Sequence, residues 1–126
     1  MTLQILIMNE AIAKLMIATS FVDGSSPASE RELIRRIMDV LQIDEKKQQG
    51  LFQEAKDLDD LEDFVEWCQT PILKIAEKND VGWNAISILF MALVAMADCK
   101  IVPSESRLIG AIAKELKVNI ESLVLT

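Results

Sequence analysis

One stretch of this chain occurs twice, and that repeat limits the folds open to it. Residues 21–44, FVDGSSPASERELIRRIMDVLQID, align without a gap on residues 96–119, MADCKIVPSESRLIGAIAKELKVN, at an offset of 75. Seven of the 24 positions are identical: Asp23/Asp98, Ser29/Ser104, Glu30/Glu105, Leu33/Leu108, Ile34/Ile109, Ile37/Ile112 and Leu41/Leu116. The match continues upstream through apolar residues, Met16/Met91 among them. Two copies fall short of a solenoid array, which needs about three or more. The shared apolar positions fall at i, i+1, i+4 and i+8, one stripe of an α-helix. Each copy therefore reads as a long apolar helix, a short loop and an amphipathic helix.

These signals predict a single all-α bundle of about seven helices with an internal pseudo-two-fold duplication. One domain spans 1–126, with repeat one at about 3–56, an acidic connector at about 57–80 and repeat two at about 81–126. Helix 1 is expected from Leu3 to Val22. Ser26 followed by Pro27 reads as a cap and a first helical residue, opening a helix to about Leu41. Asp44 should cap a third helix to about Lys56, and Asn119 is its counterpart in repeat two. Asp59 or Asp60 starts a fourth helix through Cys68. Thr70-Pro71 reads as another start, for a helix to about Lys78. The last two helices are expected at Gly82–Ala97 and Pro103–Lys117. No segment shows a period of two, so no sheet is expected.

Composition narrows the chemistry. The chain has 126 residues, 51% apolar and 26% charged, which argues against disorder. It holds 13 Lys+Arg against 20 Asp+Glu, a net charge of −7, so a nucleic acid or an anionic membrane is a poor partner. With no histidine, imidazole bases, His-dependent triads and His-ligated zinc or haem are excluded. Two cysteines, Cys68 and Cys99, make no disulfide framework and fit a reduced, cytoplasmic setting. The N-terminus does not look like a signal peptide. The longest uncharged run, 81–97, contains Gly82, Asn84 and Ser87, and its counterpart helix carries Glu10 and Lys14. It reads as a buried central helix rather than a membrane span. Neither a phosphate loop nor a nucleophile elbow occurs, and no base pairs with a nucleophile, so the chain reads as no enzyme.

The doubled pattern of apolar helix, (A/V)-D-G, short loop ending in Glu, then L-I-x-x-I-x-x-x-L resembles the tellurite-resistance TerB-like family. In the first copy Val22, Asp23, Gly24, Glu30, Leu33, Ile34, Ile37 and Leu41 carry the resemblance. In the second, Met96, Ala97, Asp98, Lys100, Ile101, Glu105, Leu108, Ile109, Ile112 and Leu116 do. Cys99 stands in place of the second glycine, and Ser26 in place of an apolar residue. The family is an all-helical module, found also at the N-terminus of membrane-anchored DnaJ-like co-chaperones. The resemblance implies about seven helices and a role in tellurium-oxyanion or chemical stress. It brings no established catalytic activity, and a metal-associated role through acidic residues.

Four acids form the sharpest constellation: Asp23 and Glu30, Asp98 and Glu105. Hard divalent cations take several oxygen ligands, and back-to-back repeats would bring four carboxylates together as a divalent-metal site. The same residues also suit a structural role, the aspartates closing the loops and the glutamates favouring helix N-termini. An ordinary EF-hand is rejected, because its first ligand positions would fall on Thr19 and Phe21, and on Val94 and Met96. A second cluster, Asp59, Glu62, Asp63 and Glu66, has the spacing of one helix face. It would suit a protein partner with a basic surface, or the chain's own Arg31, Arg35, Arg36, Lys46 and Lys47. Cys68 and Cys99 read as structural, Trp67 and Trp83 as packing residues, and Met8, Met16, Met38, Met91 and Met96 as core. An interaction adaptor using the acidic helix 59–66 or an apolar groove is thus the alternative to a metal-binding stress module.

Overall fold

The structure, a computed structural model, describes residues 3–22, 27–77, 81–97 and 102–118. Among them are seven α-helices and no strand: α1 (Leu3–Phe21), α2 (Ala28–Val40), α3 (Glu45–Lys56), α4 (Leu61–Trp67), α5 (Gln69–Glu77), α6 (Val81–Ala95) and α7 (Pro103–Glu115). The expected all-α bundle is the fold observed. No helix among the described residues is long and apolar enough to cross a membrane.

Helix α1 is the hub. It packs against α2, α3, α5 and α6, and less extensively against α7. Its sequence is apolar on nearly every side, and such a helix is stable only when surrounded. From Met8 to Val22 every residue is buried except Glu10 and Lys14, which are half-buried. The buried Thr19 hydroxyl donates to the Leu15 carbonyl at 2.8 Å, so its polar group is satisfied within the helix.

The two amphipathic helices have the same bounds at the 75-residue offset. Ala28–Val40 plus 75 is Pro103–Glu115. Both end in the same turn. Gln42 (φ 61°) and Lys117 (φ 58°) are left-handed. The next residue's N–H reaches back over that turn, Ile43 to Met38 O at 3.0 Å and Val118 to Ala113 O at 2.8 Å. This is the Schellman arrangement, which satisfies carbonyls that the last helical turn leaves open. An asparagine of the preceding apolar helix caps each end: Asn9 Nδ2 donates to Leu41 O at 3.0 Å, and Asn84 Nδ2 to Leu116 O at 3.2 Å.

Most helix starts follow their caps. Asp44 accepts from the Lys47 N–H at 2.8 Å and opens α3. Asp60 accepts from the Asp63 N–H at 2.9 Å and opens α4. Two expected starts are shifted. Pro27 is the cap position of α2 rather than its first helical residue, and Ser26 lies outside the described residues. Helix α5 begins at Gln69, ahead of Thr70-Pro71, because the Ile72 N–H bonds to Cys68 O at 2.9 Å. Pro71 is tolerated there, since first-turn residues have no intrahelical acceptor to lose. Asn119 also lies outside the described residues.

Candidate functional site

Of the four carboxylates proposed from sequence, Glu30 and Glu105 are described; Asp23 and Asp98 lie outside the described residues. Glu30 and Glu105 sit in the first turns of α2 and α7, at 1% and 2% exposure. Carboxylates are seldom this buried unless they are paired. The partners described for them differ between the copies. Ser20 donates its hydroxyl to Glu30 Oε1 at 2.9 Å. Glu105 Oε1 instead accepts the Val102 N–H at 3.0 Å, closing the start of its own helix. The swap follows from the sequence. Pro27, the counterpart of Val102, has no N–H to give, and Ala95, the counterpart of Ser20, has no hydroxyl. Both carboxylates are thus built into helix starts. Among the described residues, no three Asp, Glu or Cys side chains are grouped so as to hold a metal ion.

The acidic connector does not form the single four-residue face expected of it. Asp59 precedes α4 and its cap, and its N–H donates to Asp63 Oδ2 at 3.1 Å. Asp63 is therefore part of the helix start, while Glu62 and Glu66 are exposed. The basic cluster does not dock there either. Arg36 pairs with Glu32 at 2.8 Å, Arg35 lies over the Phe52 ring at 5.5 Å, and Lys47 approaches Glu10 at 3.9 Å. Among the described residues no ion pair joins that cluster to Glu62, Asp63 or Glu66.

Cys68 is fully buried at the junction of α4 and α5. Burial pushes its thiol up from 9.0 to about 12, with the Lys14 ammonium opposing the rise. A thiol held protonated in this way is a poor nucleophile. Cys99 lies outside the described residues.

The main surprise is on α6, the helix expected to be a buried centre. Ile86, Leu89, Leu93 and Met96 are between 42% and 57% exposed. They recur at spacings of three, four and three residues, which places them on one stripe. Met8, Met16, Met38 and Met91 are core as expected, but Met96 is at the surface. Sequence reasoning missed this face because an apolar residue reads as core wherever a helix is apolar all round. It also missed Asn9 and Asn84. Carrying the 75-residue alignment further upstream pairs them as identical residues.

These features define a class: a helical bundle whose best-placed polar side chains close its own turns, with one apolar helix face at the surface. The family model described as "Tellurite resistance protein TerB" matches residues 9–125, and the chain belongs to that family. No curated protein and no solved structure matches the chain.

Proposed function

We propose that this chain is a non-enzymatic interaction module of the tellurite-stress response, and that it docks the apolar face of a partner's amphipathic helix on α6. The carrying observation is the exposed stripe Ile86, Leu89, Leu93 and Met96. Single exposed apolar residues are ordinary, whereas an aligned set marks an interaction surface. Its three-four-three spacing is that of a helix–helix seam. No charged residue occurs from 81 to 97, so the occupant must be held by apolar area rather than by ion pairs. A benzoylphenylalanine photo-crosslinker at Leu93, in cells exposed to tellurite, tests this. The expected result is one discrete adduct whose captured peptide is an amphipathic helix of another protein. The same probe at Val40, exposed but outside that stripe, should give none. Equal capture at both positions, or capture only of a second copy of this chain, overturns the adaptor reading.

A divalent-metal site at Asp23, Glu30, Asp98 and Glu105 is the second reading, favoured by the two equivalent buried carboxylates. A metal at 100 times its dissociation constant adds about 2.7 kcal/mol of stability. A thermal-shift screen over Ca²⁺, Mg²⁺, Mn²⁺ and Zn²⁺, with chelator controls, should then show a rise that Asp23→Asn with Asp98→Asn removes. A rise that survives the double substitution rules out the metal at those positions.

A further inference from the structure

An open cavity of about 300 Å³ lies between α1, α3 and α5. That is near the lower bound of small-molecule sites, roughly 300–1,000 Å³. Its apolar wall is Ile7, Ala11, Leu51 and Pro71, and three lysines, Lys14, Lys47 and Lys74, also line it. In a chain of net charge −7 this local excess of cations is unusual. Of the two acids in the wall, Glu10 offsets Lys47, and Glu54 keeps its charge but is held by the Trp67 indole N–H. Glu10 lies 3.9 Å from the Lys47 ammonium, and Glu54 accepts the Trp67 indole N–H at 3.2 Å. Lys14 stands over the Trp67 ring, 4.7 Å from its centroid, which positions the ammonium without neutralising it. Among the described residues neither Lys14 nor Lys74 has a carboxylate within ion-pair distance.

We infer that this cavity binds a small organic anion, a carboxylate or phosphate head on a short apolar body, with the head between Lys14 and Lys74 and the body against Ile7, Ala11, Leu51 and Pro71. Each half of the ligand meets its complement: the head replaces water at two unpaired cations, and the body covers apolar wall. The net charge of the rest of the molecule disfavours a polyanion, so a single charged head fits best. The cavity is built from the first copy and the connector helix α5, and the first copy's share of it is not repeated in the second. At the 75-residue offset Ala11 and Lys14 become Ile86 and Leu89, which leaves neither the space nor the charge. The inference is independent of the α6 docking face.

The test is an amide chemical-shift titration of the whole chain at fixed ionic strength, with hexanoate, phenyl phosphate, inorganic phosphate and uncharged hexanamide as probes. Hexanoate and phenyl phosphate should shift amides of α1, α3 and α5, while hexanamide and inorganic phosphate bind at least about fivefold more weakly. Lys74→Gln, at an exposed position that leaves the fold intact, should weaken hexanoate by about fivefold or more. Lys46→Gln, on α3 but away from the cavity, should leave its affinity unchanged. Equal binding of hexanamide would mean an apolar cleft only, and equal binding of inorganic phosphate a bare-anion site; either overturns the inference. So does an equal loss in Lys46→Gln, or no binding of either organic anion at millimolar concentration.

Discussion

Among the described residues, two buried carboxylates at equivalent positions accept from different donors, and Ser20 shows what that implies. Its hydroxyl reaches Glu30 across the α1–α2 contact, where Pro27 has no N–H to offer. Ser20→Ala removes a donor to a buried acid, so it should cost about 1–3 kcal/mol in a urea melt. The counterpart position, Ala95, already lacks the hydroxyl, and Glu105 takes a backbone N–H instead. Cys68 carries a pH signature. Its thiol ordinarily ionises near 9.0 and in the fold near 12. Between these values the unfolded chain has lost a proton that the folded chain keeps. Its contribution to stability is therefore complete below about pH 9 and falls by about 1.4 kcal/mol per pH unit above it. Urea midpoints at pH 8 and pH 10.5 should separate further in the wild type than in Cys68→Ala. Equal separations would show that the thiol is not shielded.

Helix ends show where the sequence was readable. Asp44 and Asp60 were legible because a short acceptor side chain ahead of a helical run has one common use. The proline starts were less so. Proline fixes only its own φ and removes one N–H, which suits the cap position and any residue of the first turn alike. Pro27 and Pro71 occupy two such alternatives. The C-terminal turns of α2 and α7 gave no signal, because the expected mark of a left-handed cap is glycine. Here Gln42 and Lys117 take that conformation. A residue with a Cβ is strained there by about 1–2 kcal/mol. Gln42→Gly and Lys117→Gly should each stabilise the fold, by about 0.5–1 kcal/mol after the entropy that glycine adds to the unfolded chain. Thermal melts of the single and double variants check this, and because the two turns have different capping partners, Asn9 and Asn84, the gains should add. The acidic connector was misread for a related reason: i, i+3, i+4 spacing defines a face only inside a helix. Asp59 lies before the cap, and Asp63 turns back on the start of α4.

At the scale of the molecule, the two apolar helices occupy unequal positions, and their side chains record it. The connector supplies α4 and α5 once, and α5 packs mainly on α1. Helix α3 covers the same side of α1, where the Phe21 and Phe52 rings meet at a centroid distance of 6.0 Å. Along that stripe α1 carries Ala11, Lys14, Ala18 and Phe21, mostly small or already matched residues under close neighbours. At the 75-residue offset α6 carries Ile86, Leu89 and Leu93, with Met96 in the turn that follows, all partly open to solvent. The sequence pattern located both helices but not this asymmetry, because which helix is covered depends on where a non-repeated connector comes to rest. Exchanging equivalent residues measures it. Ala18 is fully buried, and Ala18→Leu forces three extra carbons into a filled space, so it should destabilise by about 1–3 kcal/mol or more. Leu93 is 52% exposed, and Leu93→Ala should change stability by less than about 1 kcal/mol while reducing whatever binding α6 performs. Urea melts of the two variants, read beside the crosslinking yield at Leu89 in the Leu93→Ala background, separate these effects. Comparable destabilisation by both substitutions would mean that the α6 stripe is packed in solution, and that its role belongs to the core rather than to a partner.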